Sequence, residues 1–545
     1  MLVKKSKLVI AVTAILATGG VTAYLYLKSL TEKVSTPLES AKIVPASAIA
    51  ATFISPNPKA LAQLQQFGSP EAQRLIQQGF KNLQSGSFSG ANIDFDRDVK
   101  PWVGGLTVAL LPPSATEKAG EARLLLVLEM KNEIAAWRVA SYLKSQAKTK
   151  SSESEYKGVK IAEITEEGGR RYSMALLNQH LVFAPFRKAV EQAVDTLKGE
   201  PSLASQSGIT SSFLQSAGVA NPMATLLIAN YSALMQQLNN LPDNAIVPAS
   251  VMSQLQQVKS VVVGIGVDSG GIRLRSVAEL DPKFVKPPHP VASSSIIQKF
   301  PAETIALLSG QGFNQIWSQA VVLGKNHPEI ATGLSQVREG FRRVELDADR
   351  EVFRWMDGEF AVGAIASNQG ILDQLGMGGA MIFETSDRTA AEATLRKLDA
   401  IAGSNPSVSV APRKVKGKEV TEWQIPQQGT LFGHGWLDRN AVFVAFGGPL
   451  VDVMTVQQAK PLSQSTPFRA IANSLPQPNQ GYFYLDVDKA LSWANRYLLK
   501  VQPNLISPEA TVLLNSVEGI GVTTTWPKPS TLQLEMLLAL KPKKR

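Results

Sequence analysis

The tetrapeptide Gly264-Ile265-Gly266-Val267 returns unchanged as Gly519-Ile520-Gly521-Val522, 255 positions later. Other pairs hold nearly the same spacing in chain order. Val44-Pro45-Ala46-Ser47-Ala48-Ile49-Ala50 is answered by Phe300-Pro301-Ala302-Glu303-Thr304-Ile305-Ala306 at an offset of 256, and Trp102 by Trp355 at 253. Glu129 and Asn132 are answered by Glu384 and Asp387, both at 255. Each match alone could be coincidence, but their order and near-constant offset are not. A period this long lies far beyond the roughly 20–50 residues of solenoid repeats, so it predicts duplication of a whole domain. The expected units are 43–290 and 298–541, joined by the proline-dense stretch Pro282-Lys283-Phe284-Val285-Lys286-Pro287-Pro288-His289-Pro290.

Within one unit helix and strand signals alternate. Asn57 precedes Pro58 and helically spaced Leu61, Leu64 and Phe67, an N-cap followed by proline in the first turn. Asn132 and Asp387 stand at matching places as caps of further helices. Runs at 106–111, 123–130, 159–165, 172–177 and 180–184 read as strands, followed by a helix over 186–197. Strands at 223–229, 258–267 and 272–280 close the unit, and one at 380–384 belongs to the second. Gly168-Gly169, Asn178-Gln179 and Gly270-Gly271 give turns too short for a parallel crossover. The expected class is α+β, with two homologous units of largely antiparallel sheet and packed helices.

Residues 8–27, LVIAVTAILATGGVTAYLYL, hold no charge over 20 positions. As a helix they would span roughly 30 Å, the thickness of a hydrocarbon core. Lys4, Lys5 and Lys7 precede them, and Tyr24 and Tyr26 mark their far end. The expectation is a cytoplasmic N-terminus at 1–7, a transmembrane helix at 8–27 and a juxtamembrane linker at 28–42. A cleaved signal fits less well, because the small residues Ala46-Ser47-Ala48 come about 20 residues past the apolar run.

The chain of 545 residues has no Cys, which excludes disulfides, thiolate nucleophiles, Cys-ligated metals and a lipidated cysteine. Its net charge of +10 is concentrated at the ends. Seven positive charges sit on Lys4, Lys5, Lys7 and on Lys541, Lys543, Lys544 and Arg545, the last three within the basic tail at 542–545. Only three remain for the rest, and no basic stripe interleaves with aromatics, so no nucleic-acid partner is expected.

Catalytic chemistry finds little support. The four histidines, His180, His289, His327 and His434, have no metal-ligand spacing. The Gly264-Ile265-Gly266 motif lacks the helix that a dinucleotide loop requires and reads as close strand packing. Gly376-Met377-Gly378-Gly379 lacks the Lys-Ser/Thr ending of a phosphate loop. Asp94, Asp96 and Asp98 lack calcium-loop spacing, as do Asp486 and Asp488. The latter two share a face if their strand continues, or form a solvated edge before a helix. No catalytic, cofactor-binding or metal residue is assigned, and no cofactor is expected.

The landmarks Val44-Pro45-Ala46, Asp98-Val99-Lys100-Pro101-Trp102 and the paired Gly-Ile-Gly-Val strands resemble a cyanobacterial family of single-pass membrane-anchored proteins, classed as a domain of unknown function. The resemblance implies a cyanobacterial origin and a body in the periplasm or thylakoid lumen, and supplies no catalytic residues. The expected function is that of a noncatalytic membrane-anchored accessory or scaffold protein, assisting assembly or maintenance of a membrane protein complex beside the lipid bilayer. The alternatives are a carrier or sensor of an apolar ligand, which needs a concave apolar site, and then an extracytoplasmic enzyme. The oligomeric state is not set by these residues.

Overall fold

The computed structural model describes residues 36–54, 57–75, 103–113, 123–131, 149–166, 171–206, 208–239, 257–285, 291–325, 328–499, 502 and 505–543. Residues of alternating polarity and β-branched side chains build its strands. The first ten are β1 (Ala50–Ile54), β2 (Val103–Leu111), β3 (Arg123–Met130), β4 (Thr149–Tyr156), β5 (Val159–Glu166), β6 (Arg171–Leu177), β7 (His180–Ala184), β8 (Pro222–Ile228), β9 (Val258–Asp268) and β10 (Gly271–Leu280). The next ten are β11 (Thr304–Gln311), β12 (Glu359–Ala366), β13 (Met377–Glu384), β14 (Ser409–Val415), β15 (Lys418–Ile425), β16 (Gly429–Trp436), β17 (Ala441–Phe446), β18 (Tyr482–Asp486), β19 (Val517–Lys528) and β20 (Thr531–Leu540).

All pairings among these strands are antiparallel, and they form one open sheet. Its order is β4-β5-β6-β7-β3-β2-β1-β8-β9-β10 and then β20-β19-β18-β11-β12-β13-β17-β16-β15-β14. The join is β10 against β20, from Gly271 opposite Ala539 to Glu279 opposite Thr531. Open edges therefore fall at β4 and β14. Glu153 and Glu155 on β4, and Pro412, Arg413 and Lys414 on β14, discourage pairing with another chain.

Helices pack on both faces. On one face α1 (Pro37–Ala41), α3 (Arg187–Leu197) and α4 (Ile209–Leu214) cover the strands before β10. Ala189, Val190, Ala193 and Val194 of α3 meet Leu125, Val127, Val182 and Ala184 there. Past β20 the same face carries α9 (Gly448–Thr455) and α10 (Thr466–Ala472), whose Leu450, Val451, Phe468 and Ile471 bury against Ala380, Phe443 and Tyr484.

The other face is covered toward its two sides. There α2 (Pro58–Leu64), capped by Asn57, adds Ala60 to Ile54 and Val267, and α5 (Tyr231–Asn239) adds Leu234 to Ile49 and Leu110. On the far side α6 (Phe313–Gly324), α7 (Pro328–Arg342) and α8 (Arg388–Gly403) enclose Trp355, Phe360 and Phe383. Near the β19–β20 ends, α11 (Val487–Trp493) and α12 (Pro508–Leu514) pack on Ile520 and Leu538.

The expected single-pass placement, with the body in a periplasm or thylakoid lumen, is corrected. Among the described residues no helix is long and apolar enough to cross a membrane, a statement about helices that does not bear on crossing by strands. The 16 residues of α8 would reach only about 24 Å and carry Arg388, Glu392, Arg396, Lys397 and Asp399. The 8–27 segment, the Asn132 cap, Trp102, His289, His327 and the Asp94, Asp96 and Asp98 group lie outside the described residues.

Candidate functional site

Directly opposed residues in an antiparallel pair point to the same face, so the register identifies rows of side chains running across the sheet. One row starts at Leu176 and continues through Leu181, Leu128, Leu106, Ile54, Ala224 and Ile265. It crosses the join as Leu274 and Met536, then passes through Val522, Phe483, Leu308, Val362, Met381 and Val444. Fifteen strands thus contribute to one row without a polar side chain.

Among the described residues, helices cover both shoulders of this row but not its middle. Ile54 and Leu106 pack with α2, while Val362 and Met381 pack with the cluster under α6 to α8. Ile265, Leu274, Met536, Val522, Phe483 and Leu308 belong to no buried cluster formed by the described residues. Leu308 is 49% exposed and Phe483 40%, and the two are directly opposed. The next row, Val263, Ser276, Leu534 and Thr524, adds small hydroxyls but no charge. The result is an uncharged, largely apolar floor about six strands wide, roughly 25–30 Å at the usual strand spacing.

The reverse side of the same strands is charged and closed. Glu535 on β20, 2% exposed, receives Arg275 at 2.6 Å and also pairs with Arg273. Arg273 also pairs with Asp268 at 2.6 Å and donates to the Ser474 carbonyl at 2.9 Å. Burial alone would depress the Arg273 pKa, but the carboxylates of Asp268 and Glu535 outweigh it and raise the value. Residues on one face thus hold the join, leaving the other face apolar where β10 meets β20.

Residues singled out in the sequence serve the fold. The Gly-Ile-Gly-Val glycines are sites of close approach: a Cβ on Gly266 would lie 2.2 Å from the Ala220 carbonyl, and one on Gly521 would lie 2.0 Å from Ile471. Asp486 and Asp488 do not share a strand face, because β18 ends at Asp486, whose carboxylate caps α11 by accepting the Lys489 amide at 3.0 Å. Asp486 also pairs with the Lys489 ammonium at 2.6 Å, whereas Asp488 pairs with Lys541. Burial first, then the Asp486 carboxylate, pushes the Tyr484 hydroxyl far above its ordinary pKa.

His434 lies 2.9 Å from Asp399, which also accepts the Trp423 indole N–H at 2.7 Å. His180 is buried and neither ring nitrogen has a hydrogen-bond partner among the described residues. Desolvation lowers its pKa, partly opposed by Glu129 and Glu39. Among the described residues, no three metal-ligating side chains converge. The apolar row has no signal in any single segment, because it exists only once the register of distant strands is set.

The chain belongs to the family described as "Protein of unknown function (DUF3352)", whose match spans residues 8–540. That match carries neither cyanobacterial origin nor a single membrane-spanning helix, and it replaces the cyanobacterial single-pass family, and with it the thylakoid placement, inferred from short landmarks. No curated protein matches the chain. Solved structures with some likeness include crystal form I of TP0453, at 10% identity over 48% of this chain and 82% of that one, with a TM-score of 0.26. Crystal form III is 11% identical over 46% and 82%, with a TM-score of 0.27. At such scores the likeness carries no argument.

Proposed function

We propose that this chain is a noncatalytic carrier or sensor of an apolar ligand, which lies across the six central strands of the open sheet face. The observation that carries the reading is the exposed, directly opposed pair Leu308 and Phe483 in an uncharged row. Removing such side chains from water is favourable by about 25 cal/mol per Å² of apolar area, and the row supplies no group that would select a charge. Met536 gives the floor an adaptable surface beside Val522 and Leu274. The accessory role expected from the sequence drew on an anchor, whereas the uncovered apolar floor favours the ligand. Titration of the full chain with the neutral, extended hydrocarbon diphenylhexatriene tests this: fluorescence should rise saturably in the native protein and fall sharply in Phe483→Asp.

We also propose that residues 43–290 and 298–541 are copies of one unit, with the floor spanning their join. The pairings β1–β2, β2–β3, β3–β7, β4–β5, β5–β6, β6–β7, β1–β8 and β8–β9 have counterparts in β11–β12, β12–β13, β13–β17, β14–β15, β15–β16, β16–β17, β11–β18 and β18–β19. β10 and β20 would then be equivalent strands paired with each other. Superposition of the two halves in a crystal structure, strand for strand in this order, is the expected outcome; two different backbone paths would contradict it.

A further inference from the structure

On the opposite face from Phe483, a groove of about 510 Å³ runs between the segment 291–294 and α10. Its size falls within the usual range of small-molecule sites, roughly 300–1,000 Å³. The floor is apolar and fixed: the rings of Phe468 and Tyr482 stand 5.9 Å apart, and Ile297 and Ala472 are buried beside them. One wall is tied back, since Ser294 donates its amide to the buried Glu359 at 2.9 Å and Ala292 donates to the Asn479 carbonyl at 3.0 Å. Gln477 donates to the Tyr482 hydroxyl at 3.3 Å at the other wall.

Among the described residues, the lining includes one cation, Arg469, and no carboxylate. Arg469 is exposed, and its guanidinium forms no ion pair or hydrogen bond with any described residue. Asn473 stands four positions on and lines the same groove. A cation in the last turn of a helix is favoured by the dipole alone, but that does not account for a groove with an apolar floor and no anion in front of it. We propose that this groove binds a small organic carboxylate with a compact apolar body, its carboxylate against Arg469 and Asn473 and its body on Phe468, Ala472 and Tyr482. A guanidinium offers paired N–H donors that match a carboxylate, and the amide of Asn473 adds a neutral donor. The proposal is independent of the sheet-face ligand, because Tyr482 and Phe483 are successive residues of β18 and point to opposite faces.

The test is calorimetric titration of the full chain with 4-phenylbutyrate and, in parallel, with neutral 4-phenylbutanol. The acid should bind more tightly than the alcohol, and Arg469→Gln should weaken the acid by about tenfold or more while leaving the alcohol unchanged. Asn473→Asp, which places a carboxylate at the groove, should weaken the acid alone. Both positions are exposed, so both variants should keep the native unfolding midpoint. Phe483→Asp should leave binding of the acid intact, separating this site from the sheet face. Equal affinity for acid and alcohol, indifference of the acid to both variants, or no binding of the acid up to about 10 mM would each overturn the proposal.

Discussion

Arg275 donates from Nε to Oε2 of Glu535 at 2.6 Å, across the strand pair that joins β10 to β20. Arg273 takes the other carboxylate oxygen, so one buried anion serves two guanidiniums. Removing it would leave Arg273 with Asp268 as its carboxylate and Arg275 with only the Ala217 and Gly218 carbonyls. Glu535→Gln should cost about 3–5 kcal/mol in urea unfolding. Replacing Glu535 with Leu and both Arg273 and Arg275 with Met should recover part of that loss, because the buried anion and the two guanidiniums it serves are removed together. A Glu535→Gln midpoint equal to the native one would show that the network does not hold the join.

His180 makes stability depend on pH. Burial lowers its pKa from the ordinary 6.5, with Glu129 and Glu39 opposing, so the folded state favours the neutral ring. The unfolded chain takes up a proton as pH falls through 6.5, while the folded chain resists until lower pH. Stability from this group is therefore present above 6.5 and lost as pH falls toward the folded value, by at most about 1.4 kcal/mol per pH unit. Urea midpoints measured between pH 7.5 and 5 should fall less steeply in His180→Leu. Parallel slopes for the two proteins would refute the assignment.

Close backbone approach makes Gly266 and Gly521 unequal to most glycines. Alanine at Gly266 would press on the Ala220 carbonyl, a backbone atom that cannot rotate away. At Gly521 the obstacle is the Ile471 side chain, which packs in the core and has little room to move. Each Gly→Ala change should destabilise by about 1–3 kcal/mol, with the Gly266 change the larger. Thermal unfolding of both variants measures it, and unchanged midpoints would contradict the packing.

Local patterns made much of this fold legible. Strands expected at 123–130 and 180–184 appear with those bounds, and Asp387 caps α8 by accepting the Ala390 amide at 3.0 Å. Short turns correctly indicated antiparallel pairing around β5 to β7 and β9 to β10. By contrast β4, with the sequence TKSSESEY, lacks apolar alternation because it is an exposed edge, so nothing local marked it. Asp486 reads from the sequence as a continuing strand or a solvated edge before a helix; it is instead the buried cap of α11, a role that depends on where β18 stops. The floor around Leu308 and Phe483 was invisible for a different reason: their pairing joins residues 175 positions apart, a register set by tertiary packing.

The open sheet face is the proposed ligand site. Fluorescence titration of diphenylhexatriene with the native chain, Leu308→Asp, Phe483→Asp and Leu176→Asp provides the measurement. All three leucine or phenylalanine side chains are exposed, so each variant should unfold within about 1 kcal/mol of the native protein. Leu308→Asp and Phe483→Asp should weaken the probe by about tenfold or more, since each places a charge in the uncharged floor. Leu176→Asp, in the same row but far out on β6, should bind like the native chain. Equal binding by all four proteins, or no saturable binding by the native chain, would contradict the assignment of this face as the ligand site.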